Sequence, residues 1–175
     1  EAFAVAFPTL EHRANAVTFC AQHVASAIVS YLSSGGGGGG GGGGTSKSKG
    51  KQKTKTTIQR KITSSILSLR SLLSPRSTDK EATLPPLVPT VTPELRTLLS
   101  AQLWQKHFIA SSDNVTIRKS CYELMLTLVN HHPSFLTSNA ATILPTFFRV
   151  SFAESHRSNH VLMWEAVLTV LSRMS

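Results

Sequence analysis

Histidines are the first candidates for chemistry in this sequence, because pairs of imidazoles at helical spacing can bind zinc. His156 and His160 are four residues apart, and His131 and His132 are adjacent. A metalloprotease helix needs a glutamate directly after its first histidine, but Arg157 follows His156, and no cysteine pair has ligand spacing. We therefore predict exposed histidines at helix ends and no metal site.

The two cysteines, Cys20 and Cys121, raise the question of a thiol nucleophile. Glu123 is close to Cys121 in sequence, but the spacing of Cys121 to Ile117 and Leu124 places it in an apolar helical stripe. We therefore predict a core position for Cys121 and no catalytic residue. Two isolated cysteines in apolar patterns also favour a reducing compartment, the cytosol or the nucleus, over a disulfide framework.

Ten successive glycines at residues 35–44, followed by a lysine-rich stretch, invite comparison with a phosphate-binding loop. That loop follows a strand and ends in Gly-Lys-Ser or Gly-Lys-Thr. Here Gly50 and Lys51 are followed by Gln52, and Thr45 stands where the first glycine belongs. We predict a disordered linker over residues 34–56 and no bound cofactor, because glycine maximises backbone entropy and the alternating lysines repel one another.

The formal charge of +9 is concentrated in one stretch of the chain. Residues 45–80 contain ten basic side chains and one acid, Asp79, whereas the other segments together balance to zero. The run from Lys47 to Lys61 could neutralise RNA phosphates and bind RNA weakly, with affinity that falls steeply as salt rises. Because no aromatic residues are interleaved for base stacking, we favour a solvated linker over a dedicated RNA site.

Apolar residues recur at three- and four-residue intervals over most of the remaining sequence, which predicts α-helices. The first helix is predicted over about residues 10–32, after a turn at Pro8 and Thr9, so that residues 1–33 form a helical hairpin. A second helix is predicted over residues 57–74, followed by a proline-rich connection over residues 75–92. Thr92, Pro93 and Glu94 then form a helix opening, with a capping residue, proline at the first helical position and an early acid.

Residues 93–175 are predicted to form helical repeats. Further helices are expected over about residues 115–130, over residues 139–152 with a bend at Pro145, and from about residue 159, while Pro133 stops the first of them. Trp104 and Trp164 both lie in apolar stripes, so we favour core packing over interface anchoring. No run approaches the roughly 18 to 20 consecutive apolar residues of a membrane span. Both ends of the chain are expected to be cuts in a longer protein.

Antiparallel helix pairs with a period of about 40 residues indicate an all-α, HEAT- or armadillo-like α-solenoid segment, interrupted by the long disordered Gly/Lys linker. The run containing Asp113, Ile117 and Arg118 is similar to a HEAT repeat, which places an Asp in the turn and an Arg early in the second helix. We therefore expect Asp113 to cap the turn and Arg118 to reach across the interface between repeats.

Five blocks of the sequence, taken in order, carry a resemblance to a known family: residues 2–8 with 16–20, residues 62–69 with 72–73, residues 98–100 with 104–106, residues 117–124 and residues 162–168. They resemble listerins, a family of large RING-type E3 ubiquitin ligases. The chain departs from the family in its connections, where the glycine tract and lysine run replace a more acidic loop and a proline-rich link precedes Glu94.

The resemblance implies that the full-length protein docks on stalled large (60S) ribosomal subunits in the ribosome quality control complex and ubiquitinates trapped nascent chains for proteasomal degradation. A carboxy-terminal RING with bound zinc would recruit a ubiquitin-charged E2, and none of its ligands matches a residue here. The expectation is a cytosolic scaffold segment with no catalytic, cofactor-binding or metal residue and no membrane contact. The alternative is a non-enzymatic HEAT-repeat adaptor in transport or RNA handling, with Lys47 to Lys61 as its nucleic-acid contact.

Overall fold

The computed structural model describes residues 10–33, 48–74, 92–103 and 114–174. Within these ranges the chain is almost entirely helical and contains no strand, which confirms the predicted all-α class. The α-helices are α1 (Leu10–Ser33), α2 (Ser48–Leu73), α3 (Thr92–Thr97), α4 (Val115–His131), α5 (Pro133–Ser138), α6 (Ala140–Phe152) and α7 (His160–Met174). A π-helical turn (Leu98–Gln102) extends α3, and a 3-10 turn (Arg157–Asn159) precedes α7.

Helices α1 and α2 form an antiparallel pair. Arg13, near the start of α1, donates to the Leu72 carbonyl at the end of α2, while Lys55 in the first half of α2 lies 5.7 Å from the Tyr31 ring centre. The seam between the two helices is formed by buried Val17, Ala21, Val24, Ile28, Ile62, Ile66, Leu69 and Leu73. Since burying one such aliphatic side chain contributes about 1.5–3 kcal/mol, this seam is the main attraction between the helices.

Helices α2, α4 and α7 run parallel to one another. Gln59 Nε2 donates to Asn114 Oδ1 at 2.8 Å, and further along both chains Arg70 binds Glu123. The Asn159 amide, just before α7, donates to a backbone carbonyl in the first turn of α4. Equivalent helices of successive pairs therefore lie side by side in one direction.

The other layer contains α1, the π-helical turn and α6. The π-helical turn contacts both α1 and α6, and α6 also packs on α7 in the first layer. Helices that alternate between two layers and contact mainly their neighbours define an α-solenoid, so the predicted solenoid-like fold is confirmed. The offset of 44 residues between Val115 and Asn159 is close to the expected period.

Helix α2 begins at Ser48, nine residues before the predicted start at Thr57. The predicted disordered linker over residues 34–56 is therefore wrong for residues 48–56, while residues 34–47 lie outside the described ranges. Lysine and glutamine have helix propensities close to that of alanine, and extending a docked helix requires no new nucleus. Gly50 costs only about 1 kcal/mol in a helix interior, which the rest of α2 can tolerate.

The predicted helix opening at Thr92 is confirmed by α3, which has Glu94 in its first turn. The π-helical turn was not predicted, and it ends where the Leu103 backbone N–H donates to the Leu98 carbonyl at 2.8 Å. This wider turn accompanies four buried leucines, Leu95, Leu98, Leu99 and Leu103. The turn therefore helps to place this short segment between α1 and α6.

Some predictions fall outside the described residues. These are the turn at Pro8 and Thr9, the proline-rich connection up to residue 91, the core position of Trp104 and the cap by Asp113. They stay predictions.

The connection between α4 and α6 contains the short helix α5, where the sequence predicted only a stop and a loop. Helix α4 ends at His131, and Pro133 occupies the first turn of α5, where a missing backbone N–H costs nothing. Phe135 and Leu136 are buried and attach α5 to the core. Pro145 lies inside α6, and its predicted bend stays a prediction. The start of α7 next to Asn159 is confirmed.

Among the described helices, one is long and apolar enough to cross a membrane by length and composition alone, the stretch Glu11–Ser33 with mean hydropathy 1.2. A buried core helix passes the same test. Polar residues such as His12 and Gln22 interrupt its apolar run. Its apolar face packs against α2 here, which is the arrangement of a core helix.

Candidate docking surfaces and buried polar junctions

A buried ion pair joins Arg118 of α4 to Glu154, which lies between α6 and α7. Arg118 Nε donates to Glu154 Oε2 at 2.9 Å, and the two side chains are 5% and 0% exposed. The same oxygen accepts from the Tyr122 hydroxyl and the Asn159 amide, both at 3.2 Å, and Oε1 accepts from the His156 backbone N–H at 2.8 Å. The predicted reach of Arg118 across the repeat interface is therefore confirmed, with Glu154 as its partner.

The electrostatics of this junction keep it ionised. Burial opposes ionisation of Glu154, but the bonds from Arg118, the His156 N–H and the Asn159 amide outweigh it, so the pKa of Glu154 lies below its ordinary value. Burial and the nearby Glu154 carboxylate raise the pKa of Tyr122, so its hydroxyl stays a donor. A carboxylate that accepts from four donors is held in place, and we assign the junction to fixing repeats rather than to proton transfer.

A second polar junction lies at the carboxyl end of α2. Arg13 donates through Nε to the Leu72 carbonyl and through Nη2 to the Ser74 carbonyl at 3.1 Å, while His132 Nε2 lies 2.9 Å from the Leu73 carbonyl oxygen. The last carbonyls of a helix lack intrahelical partners and carry partial negative charge, so N–H donors and cations stabilise them. This junction ties α1, α2 and the α4–α5 turn together.

His132 is buried, so the prediction of exposed histidines is wrong at this position. The missed signal is the contact with Leu73, which is 59 residues away in the chain. Burial lowers the pKa of His132 despite the opposing effect of the Leu73 hydrogen bond, and the Arg13 charge lowers it further. Because a carbonyl only accepts, the neutral imidazole carries its proton on Nε2.

Two of the histidines considered for zinc, His156 and His160, have partners close to them in the chain. His156 Nδ1 lies 2.8 Å from Ser158 Oγ, and His160 Nε2 lies 3.2 Å from the Glu154 carbonyl oxygen. In the part of the chain that the structure describes, no group of three His, Cys, Asp or Glu residues could hold a metal ion. The contacts of both imidazoles stabilise the connection between α6 and α7.

Cys121 lies in the core, as predicted, with 1% of its surface exposed. Burial raises the pKa of Cys121 and, at the other buried cysteine, the pKa of Cys20, so both remain thiols rather than nucleophilic thiolates. Glu123, considered as a partner for Cys121, instead binds Arg70 of α2 at 2.7 Å. The geometry therefore gives Cys121 a packing role.

A groove of about 470 Å³ runs between α1 and α2 on the outside of this pair. Its walls include Asn15, Phe19, His23, Ser65 and Ser68. The Phe19 ring is 67% exposed and stacks on His23, with ring centres 6.0 Å apart and planes 22° from parallel. His23 Nδ1 lies 2.8 Å from Ser65 Oγ, which links the ring pair to α2. We call this the α1–α2 groove.

Helix α2, which forms one wall of the groove, contains most of the excess positive charge of the described residues. It contains seven Lys or Arg residues and no acid between Ser48 and Leu73. Arg60 and Lys61 are exposed. Lys61 precedes Ser65 by four residues and Ser68 by seven, so these three share one face of the helix. Lys61 therefore lies on the side of α2 that borders the α1–α2 groove, one turn before Ser65.

The second exposed apolar surface lies on α7. Trp164 is 48% exposed, so its predicted core position is wrong, and its ring centre lies 6.1 Å from that of the 63% exposed Phe152. Leu168 and Leu171 are also exposed. Helix α7 turns Met163, Ala166, Val167 and Val170 inward. Among the described elements α4 and α6 cover one side of α7, which leaves its second apolar face in solvent.

Together these features define a class of protein, a helical-repeat segment whose buried polar groups fix its helices and whose surface exposes apolar side chains on α1 and α7. The chain belongs to the family described as E3 ubiquitin-protein ligase listerin, N-terminal domain, which it matches over residues 1–175. This match confirms the resemblance seen in the sequence. No significant match was found among curated proteins or among solved structures.

Proposed function

We propose that this chain is a docking segment of an E3 ubiquitin-protein ligase that acts in ribosome-associated quality control. It binds the stalled large (60S) ribosomal subunit within the ribosome quality control complex and holds a distant RING near the trapped nascent chain. The RING, with its own zinc, recruits the ubiquitin-charged E2, and this chain contributes no catalytic group. This function takes place in the cytosol.

The observation that carries the proposal is the family match over the whole chain. A scaffold of this kind accelerates transfer by raising the effective concentration of the RING near its substrate, which requires a rigid connection. The Arg118–Glu154 pair and the bonds of Arg13 and His132 to the end of α2 restrain neighbouring helices in this way. Rigidity is therefore the contribution that we assign to the buried polar junctions.

The charge distribution favours an RNA-rich partner such as the ribosome. The two helices α1 and α2 carry eight cationic side chains against one acid, Glu11. Each cation that neutralises a phosphate releases counterions, so such a surface binds RNA strongly at low salt and weakly at high salt. We assign the ribosome-facing surface to the α1–α2 pair.

Sedimentation with purified 60S subunits tests this assignment. We expect the chain to co-sediment at moderate salt and the double variant Arg60→Glu/Lys61→Glu to remain in the supernatant, since two phosphate contacts become repulsive. The matched control is Lys119→Glu/Arg149→Glu, which reverses two exposed charges in the other half of the molecule and should still co-sediment. Failure of the unaltered chain to co-sediment at any salt would contradict the proposed docking.

The same cationic helix would also suit a non-enzymatic HEAT-repeat adaptor in RNA handling, with α2 as its nucleic-acid contact. The complete reading frame separates the two functions. A carboxy-terminal Cys/His zinc pattern, together with E2-dependent ubiquitin transfer by the full-length protein, supports the ligase. A reading frame without that pattern supports the adaptor.

A further inference from the structure

We propose that the α1–α2 groove binds an unstacked base of single-stranded RNA, with Phe19 as the stacking surface and Lys61 as a phosphate contact. The proposal rests on the proposed ribosome docking for its biological partner. It adds the position on this chain, the chemical class of the ligand and the role of each side chain.

The stacking surface comes from the position of Phe19 on α1. The seam with α2 uses Val17, Ala21 and Val24, and Phe19 points away from it, with 67% of its surface exposed. The ring is still supported, because it stacks on His23, whose Nδ1 lies 2.8 Å from Ser65 Oγ. Exposed aromatic rings that are fixed in this way are the usual platforms for bases of single strands.

Polar groups stand beside the platform. Asn15, Ser65 and Ser68 line the same groove and carry donors and acceptors suited to a base edge. The groove has room for a base, since its volume is about 470 Å³. Its surface is otherwise apolar, which suits the flat face of a base more than a phosphate.

The charges favour RNA over an acidic peptide. Helix α2 has seven cations and no acid over its 26 residues, a length of about 39 Å at 1.5 Å per residue. Two of these cations, Arg60 and Lys61, are adjacent and exposed, and a helix with this net positive charge suits a polyanion whose charges repeat along its chain. Lys61 lies on the face of α2 that enters the groove, so one phosphate contact is placed next to the bound base.

Binding of an oligouridine of about ten nucleotides, followed by fluorescence anisotropy, tests the groove directly. We expect Phe19→Ala to weaken binding about tenfold, since loss of one stacked base has an effect of this order. Phe19→Leu, which retains an apolar side chain but has no ring, should weaken binding as well. We expect Lys61→Ala to reduce the salt dependence by about 0.7 in the slope of log affinity against log salt.

The matched control is Phe152→Ala. Phe152 is 63% exposed and belongs to a ring cluster with Phe148 and Trp164 at the other end of the molecule. Its removal should leave oligouridine affinity unchanged. Unaltered thermal unfolding of each variant shows that the fold is retained, which is expected because both phenylalanines are largely exposed.

Three outcomes decide the proposal when 60S sedimentation is measured in parallel. If Phe19→Ala and Phe19→Leu bind oligouridine as well as the unaltered chain does, the groove is not an RNA site. If Phe19→Ala reduces 60S binding but leaves oligouridine binding intact, the groove holds a protein segment and the proposal is overturned. If the unaltered chain binds oligouridine through Phe19 but does not bind 60S subunits, the groove proposal stands and the proposed ribosome docking fails.

Discussion

The α1–α2 pair and the segment from α4 to α7 use their charged residues in opposite ways. The pair has eight cations and one acid, and exposed members of this set such as Arg60 and Lys61 lie on its surface. Residues 114–174 have five cations and three acids. Two of them, Arg118 and Glu154, form an ion pair whose side chains are buried between the helices. Both regions share the same two-layer packing of helices.

This difference shows that one architecture can pair its charges inside the helix packing in one region and leave them at the surface in another. In the α4–α7 segment, a buried charge pair fixes the position of one repeat against the next, which an apolar seam alone restrains less specifically. In the α1–α2 pair, an apolar seam holds the helices, and exposed cations such as Arg60 and Lys61 lie in solvent, where the proposed function requires them to attract a polyanion. Each prediction below tests one side of this division.

The largest expected effect is in the buried pair. Arg118→Met removes the partner of a carboxylate that stays buried, and we expect a loss of about 3–5 kcal/mol in the free energy of unfolding. Urea denaturation followed by circular dichroism measures it. The double variant Arg118→Met/Glu154→Gln should recover part of the loss, because no unpaired charge is then left inside.

The control for this prediction is the next residue in the chain. Lys119 is exposed on the same turn of α4, so Lys119→Met should change the unfolding free energy by no more than about 0.5 kcal/mol. Equal stability of Arg118→Met and Lys119→Met would mean that the buried Arg118–Glu154 pair stabilises the fold no more than an exposed charge does, which removes the proposed role of buried charge in this region.

The sequence predicted the features that depend on local periodicity. The inward position of Cys121, the start of α7 and the reach of Arg118 follow from helical spacing and repeat geometry. Trp164 shows the limit, because an apolar stripe indicates that a residue is suited to burial and not that a neighbouring helix covers it. The early start of α2 follows from helix extension, which composition alone did not reveal.

The candidate RNA site was hidden for a related reason. The lysine run lacks interleaved aromatic residues along the sequence, and the rings that accompany it come from α1. His23 and Ser65 are 42 residues apart, so no local pattern places Phe19 beside the cationic helix. His132 was missed in the same way, because burial of its ring depends on the distant end of α2.

A smaller effect is expected at His132, which lies in the α4–α7 segment and joins it to the α1–α2 pair through its hydrogen bond to Leu73. At about pH 8, His132→Leu should lower the free energy of unfolding by about 1–3 kcal/mol, because the Leu73 carbonyl loses its partner. Thermal or urea unfolding, measured across pH, also tests how the lowered pKa of His132 makes the free energy of unfolding depend on pH. The pKa of His132 in the folded chain lies below its ordinary value of 6.5, so the unfolded chain takes up the proton first.

The stability linked to neutral His132 is fully present above about pH 6.5 and is lost as pH falls through the lower folded pKa. The difference between the unaltered chain and His132→Leu should therefore shrink as pH falls below about 6.5. Measurements stay above about pH 4.5, since the lowered pKa of Glu154 affects stability only below its ordinary range. A difference that stays constant over this window would show that His132 does not titrate on unfolding.

The smallest effect is expected at the exposed ion pair, where Arg70 and Glu123 link α2 to α4 with side chains 42% and 22% accessible. Glu123→Gln should cost about 0.2–1 kcal/mol, because solvent screens a pair of this kind. The difference should vanish in about 1 M salt, where the Debye length is about 3 Å. Glu154→Gln, measured in the same salt, should keep most of its larger cost, since its pair is shielded from ions. If both costs fall equally with salt, the Arg118–Glu154 pair is accessible to solvent ions, and the division between an inward-charged and an outward-charged region is wrong.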